Sequence, residues 1–98
     1  MARIEAAAEI FEDFDRILDH LAQFDVATPS RIDEILRAID VLSTSPLIGR
    51  PAKGGKRELV IGRGSRGYVA LYRYVAEMDT VFVLAVRSQR EAGFVREP

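Results

Sequence analysis

The chain has 98 residues, of which 48% are hydrophobic and 30% charged, and its formal net charge is −1. That size leaves room for a single domain with one core, and the composition excludes a disordered, fibrous or low-complexity protein. Cysteine is absent, which excludes disulfides, thiolate metal sites and thiol nucleophiles.

The opening residues Met1-Ala2-Arg3-Ile4-Glu5 lack the apolar run of a signal peptide, and Arg3 to Glu5 read as a short edge strand. No stretch reaches the ~20 apolar residues that span a bilayer, so a cytoplasmic protein without membrane contact is expected. From Ala7 to about Phe24 the residues Ile10, Phe11, Phe14, Ile17, Leu18 and Leu21 recur at steps of three and four, which predicts an amphipathic helix. The acidic residues Glu9, Glu12, Asp13, Asp15 and Asp19 mostly fall off that stripe. Thr28-Pro29-Ser30 is a helix start signal, with Asp33 placed to reach back toward Ser30. The second helix carries Ile32, Ile35, Leu36, Ile39 and Leu42, and the short linker before it folds the pair into a hairpin.

After Ser45 the prolines and glycines of residues 46 to 55 break any helix and mark an extended basic connection. Beyond it the period becomes two. Arg57 to Ile61, Tyr68 to Val75 and Thr80 to Arg87 are rich in β-branched and aromatic residues and predict three antiparallel strands. In the middle strand Tyr68, Ala70, Tyr72 and Tyr74 share one face, while Val69, Leu71, Arg73 and Val75 share the other. Arg73, set among apolar neighbours, is expected to pair with Glu58 or an acidic helix residue. The elements assemble into one α+β domain over residues 1 to 98, a helical hairpin packed on a small twisted antiparallel β-sheet in the order β-α-α-β-β-β.

Charge divides the chain. Residues 1 to 45 hold four basic and ten acidic side chains, a net of −6, whereas residues 46 to 98 hold ten basic and five acidic, a net of +5. A basic half attracts nucleic acid or an acidic protein surface through the same Coulomb force, so charge alone selects neither.

Several words in the basic half carry a resemblance. They are PLIGRP at Pro46 to Pro51, RELVIG at Arg57 to Gly62, GYVALYRY at Gly67 to Tyr74 and AVRSQREAGF at Ala85 to Phe94. With the order of elements they resemble the RelE/ParE toxin superfamily, also called plasmid stabilisation proteins, over nearly the whole chain. The resemblance implies a growth-inhibiting toxin of a type II toxin–antitoxin system, neutralised by a cognate antitoxin. A homodimer, or a heterotetramer with the antitoxin, is compatible with it. RelE-like members cleave messenger RNA on the ribosome, whereas ParE-like members are associated with poisoning DNA gyrase. Val69 stands where RelE-like nucleases have an arginine, Ser88 where many relatives have histidine, and Phe94 where they have tyrosine. Valine cannot neutralise a developing phosphorane charge, and phenylalanine has no proton to transfer.

The resemblance therefore favours a toxin that acts by binding gyrase, with Arg87, Arg90, Phe94, Arg63 and Arg66 on the target surface. Phe14, Leu18, Tyr72 and Tyr74 are expected to contact the antitoxin. The alternative is a ribosome-dependent endoribonuclease, in which Arg57, Arg87 and Arg90 hold phosphate and Glu91 is the base. A second alternative is a non-toxic member that only binds its antitoxin. The single histidine, His20, lies far in sequence from the basic half and is expected to be a solvated surface residue or helix-end cap. Gly62 to Gly67 joins two strands rather than a strand and a helix, so its glycines are expected to serve a turn and not a phosphate cradle. No cofactor and no metal are expected.

Overall fold

The period-two segments form the strands expected of them, and the computed structural model, which describes residues 1–23 and 28–96, shows how they are ordered. The elements are β1 (Arg3–Ala6), α1 (Ile10–Gln23), α2 (Thr28–Asp40), β2 (Arg50–Pro51), β3 (Arg57–Ile61), β4 (Tyr68–Val75) and β5 (Thr80–Ser88). They build two helices on a five-stranded sheet in the order β1-β5-β4-β3-β2.

The sheet is mixed, where an antiparallel one was expected. Strand β1 runs parallel to β5, with Arg3 opposite Thr80 and Ala6 opposite Val83, while every other pairing is antiparallel. A parallel neighbour requires a long crossover, and the chain from α1 to β4 supplies it. Alternation along a strand says nothing about its partner's direction. The short β2 is a further addition, pairing Arg50 with Glu58 and Pro51 with Arg57. Between β4 and β5 the register steps from Leu71 opposite Ala85 to Tyr72 opposite Val83, which leaves Leu84 as the extra residue of a bulge.

The tyrosine face of β4 covers the helices. Tyr68, Ala70, Tyr72, Val81, Val83 and Val86 pack in one core with Ile10, Ile17, Leu21, Ile35, Ile39 and Leu42. Ile35, Leu42, Val81 and Val86 are fully buried, each side chain contributing ~1.5–3 kcal/mol of transfer free energy. The opposite face of β4 is also closed at its centre, since Val69 and Leu71 are buried.

Three local expectations change. In α1 the buried positions are Ile10, Asp13, Ile17 and Leu21, so an acidic residue occupies the inner stripe and Phe11 is left 74% exposed. Helix α2 already includes Thr28, which puts Ser30 inside its first turn, and Asp33 pairs with Arg37 at 3.9 Å. The linker between the helices lies outside the described residues. Arg73 pairs with no carboxylate among the described residues; its guanidinium donates to the Gly54 carbonyl at 2.9 Å, and Glu58 is bound to Arg50 instead. Among the described residues no helix is long and apolar enough to cross a membrane.

A candidate target-binding surface at one end of the sheet

Strand β3 ends, β4 begins and β5 ends at the same edge of the fold, because Ile61, Tyr68 and Ser88 are register neighbours. Their loops bring together residues that are distant in sequence. The β3–β4 connection turns through Gly62 and Gly64, both at positive φ, and leaves Arg63 and Arg66 exposed. A Cβ on Gly67 would lie 2.6 Å from the Ile61 carbonyl, so that glycine permits a close backbone approach. The loop joins two antiparallel strands, as its sequence context predicts, and holds a single 3-10 turn at Gly64–Arg66 in place of an α-helix. The Gln89 amide donates to the Gly67 carbonyl at 2.9 Å, tying the segment after β5 to this turn.

Four charged side chains hold that segment in place. Strand β1 stops beside Val83, with a last hydrogen bond from the Ala7 amide to the Val83 carbonyl, so among the described residues β5 has no strand on that side from Leu84 onward. Side chains take over. The Val86 amide donates to Asp13 Oδ2 at 3.0 Å, and Arg16 donates to the Val86 carbonyl at 3.1 Å. Arg96 donates to the Leu84 carbonyl at 2.7 Å, and the Ser88 amide donates to Glu91 Oε2 at 2.7 Å. The four groups also bind one another, Arg16 to Glu91 at 2.8 Å and to Asp13 at 3.0 Å, and Arg96 to Asp13 at 2.8 Å.

Asp13 is only 1% exposed. Burial opposes its charged form, but hydrogen bonds from Arg96, the Val86 amide and Arg16, together with the Arg96 charge, outweigh it and hold the carboxyl below its ordinary range. Arg16 is likewise held more firmly protonated: its burial works against the charge, and Glu91 and Asp13 more than compensate.

The expected nuclease residues come together only in part: Arg90 and Glu91 line one cavity and Arg87 donates to the Glu91 carbonyl, whereas Arg57 lies apart from them. Arg57 pairs in register with Tyr72 on the helix side of the sheet, and its guanidinium donates to the Leu47 and Gly49 carbonyls at 3.2 and 2.7 Å. Arg87 pairs with Val69 and so lies on the opposite face. Its guanidinium carbon sits 5.1 Å from the centre of the Phe94 ring, within cation–π range, and it donates to the Ser88 and Glu91 carbonyls. Its Nε is buried and finds no partner among the described residues. Arg90 is exposed, and Glu91 is engaged by Arg16 and the Ser88 amide.

Of the residues expected to meet an antitoxin, Phe14 and Leu18 form a half-buried shoulder on α1 beside the exposed Phe11. Tyr72 is corrected: it is fully buried, and its hydroxyl accepts the Gly49 amide at 2.9 Å. A Cβ on Gly49 would sit 2.7 Å from that ring, which explains the glycine of PLIGRP. Tyr74 donates to Asp79 at 2.7 Å, and this bond, with some burial, raises its pKa. His20, far in sequence from the basic half and expected at the surface or a helix end, is exposed and lines a cavity together with Arg90 and Glu91. Asp13, Arg16 and Arg96 were not anticipated as structural partners of β5.

A family model for the ParE toxin of the type II toxin–antitoxin system parDE matches residues 4–93. The chain belongs to the ParE toxin family. It is thus a type II toxin of the wider RelE/ParE superfamily. Among solved structures, the intact E. coli RelBE toxin–antitoxin complex contains a chain with the same fold. It matches with a TM-score of 0.65 at 15% identity, over 93% of this chain and 100% of that one. A metal-bound toxin from Helicobacter pylori matches with a TM-score of 0.50 at 15% identity, over 95% and 100% of the two chains. At such identities the likeness concerns the fold. Among the described residues of this ParE-family chain, no group of three or more His, Asp or Glu side chains is gathered to hold a metal ion. No curated protein matches the chain.

Proposed function

We propose that this ParE-family toxin acts in the cytoplasm by binding rather than by cutting, that its target is DNA gyrase, and that a cognate antitoxin neutralises it. The observation that supports this reading is that, of the groups a metal-free ribonuclease would need, Arg57 stands apart from the others and the carboxylate of Glu91 is already engaged. Arg57 and Arg87 lie on opposite faces of the sheet, Val69 offers no charge beside Arg87, and Glu91 is held by Arg16 and the Ser88 amide. A general base must be free to take a proton within hydrogen-bond reach of its substrate. What remains accessible at this end is Arg63, Arg66 and Arg90, with the partly exposed Phe94 nearby. Such a cationic rim beside an aromatic ring suits docking, since Arg and aromatic residues dominate binding energy at interfaces. The Phe11, Phe14 and Leu18 shoulder of α1 is the surface assigned to the antitoxin.

Controlled expression without an antitoxin tests the reading. Plasmid supercoiling should fall and gyrase-dependent DNA breaks should accumulate while ribosome-bound message stays intact, and Arg90→Ala with Arg63→Ala should weaken both effects. Codon-phased cuts in the message with normal supercoiling would establish the ribonuclease alternative instead, and normal growth would leave a member that only binds its antitoxin.

A further inference from the structure

A cavity of about 280 Å³ opens where the last turns of α1 meet the start of β4 and the segment after β5. Ile17, Leu21 and the Tyr68 ring give it an apolar interior, and His20 and Arg90 stand among its polar lining. Of its other charged residues, Arg16 and Glu91 satisfy each other at 2.8 Å. Arg90 is therefore the lining arginine that no carboxylate pairs with among the described residues.

Tyr68 adds a second and independent observation. The residue is 4% exposed and lines the cavity, and its hydroxyl makes no hydrogen bond among the described residues. Burial raises its pKa, with Arg31 and Arg90 opposing and Glu34 assisting, so the group stays a neutral donor at pH 7. The only sealed, unpartnered side-chain atom among the described residues is Arg87 Nε, so the Tyr68 hydroxyl is open to the cavity that its side chain lines, and a ligand oxygen there can accept from it.

We infer that this cavity receives an apolar side chain flanked by a carboxylate, presented by an acidic segment of the protein that neutralises the toxin. The identity of that partner rests on the reading of the chain as an antitoxin-controlled toxin; the chemistry of the site does not. The volume is at the small end of ligand pockets, roughly 300–1,000 Å³, and suits one large side chain better than a base, sugar and phosphate together. One unpaired guanidinium and one hydroxyl donor match the needs of a single carboxylate. Occupancy would also withdraw Arg90 from the target surface, so that neutralisation proceeds by direct competition.

Amide NMR titration of the intact chain tests the site with three probes: N-acetylphenylalanine, its neutral carboxamide, and uridine 5′-monophosphate. The first should shift the Ile17, Leu21, Tyr68 and Glu91 amides with a Kd on the order of millimolar. The carboxamide should bind roughly fivefold more weakly, Arg90→Ala should reduce the acid to the level of the carboxamide, and Tyr68→Phe should weaken it about threefold. Arg90 is exposed and its side chain makes no bond within the described fold, so its removal leaves folding intact. Absence of shifts with N-acetylphenylalanine, equal binding of acid and carboxamide, or tighter binding of the nucleotide would each overturn the assignment. The gyrase and message assays above fail or succeed independently of these titrations, so the two readings are separable.

Discussion

Strand β5 is closed along one edge in two different ways. From Thr80 to Val83 its neighbour is the backbone of β1; from Leu84 to Ser88 its neighbours are the side chains of Asp13, Arg16, Glu91 and Arg96. A backbone ladder tolerates almost any residue, because its donors and acceptors belong to every amino acid. A side-chain seal depends on four particular residues and on their charge. The first half is thus robust to substitution, and the second is sensitive to substitution and pH. The sensitive half is also the one that positions Arg87, Arg90 and Phe94.

Asp13→Ala attacks the difference most directly. It strips the Val86 amide of its partner and leaves two arginines without their shared carboxylate, and stability should fall by ~3–5 kcal/mol in urea unfolding followed by circular dichroism. A loss below ~1 kcal/mol would mean that water replaces the seal. Acid should act on the same group. Its folded pKa is lowered, so its contribution is complete above the unfolded value of ~3.9 and drains away as pH falls through the lower folded value. Urea melts of the wild type and Asp13→Asn should therefore converge below about pH 4, and a constant gap would disprove the linkage.

Arg96→Ala removes one donor from the Leu84 carbonyl and one partner from Asp13, while Arg16 remains. The expected loss is ~1–2 kcal/mol, and hydrogen exchange of the Val86 amide should accelerate while β1 retains its protection. Uniform acceleration through β1 would show that the two halves open together. The smallest effect belongs to the backbone-paired half. Glu5→Ala there deletes a surface ion pair with Arg3, and less than ~0.5 kcal/mol should be lost.

Much of this architecture was legible along the chain, and the failures share a cause. The strands at Arg57–Ile61 and Tyr68–Val75 appear where alternation and β-branched or aromatic residues predict them, since these signals are local. The parallel β1, the two-residue β2 and the bulge at Leu84 depend on partners far away, and no neighbouring residue encodes them. The register and that bulge together decide that Arg57 and Arg87 face opposite ways. The burial of Asp13 runs against hydrophobic periodicity, which assigns acids to solvent. Its spacing within Ile10, Asp13, Ile17 and Leu21 was nonetheless that of the inner stripe. Arg96, in an irregular tail, offered no comparable signal.

The position of β1 also sets an order of events during synthesis. Among the described residues the first strand in chain order has as its strand neighbour the fifth, β5. During synthesis this strand therefore has no companion until Thr80 and the residues that follow it have been made. Closure of that edge of the sheet is therefore a late event, set by the arrival of β5.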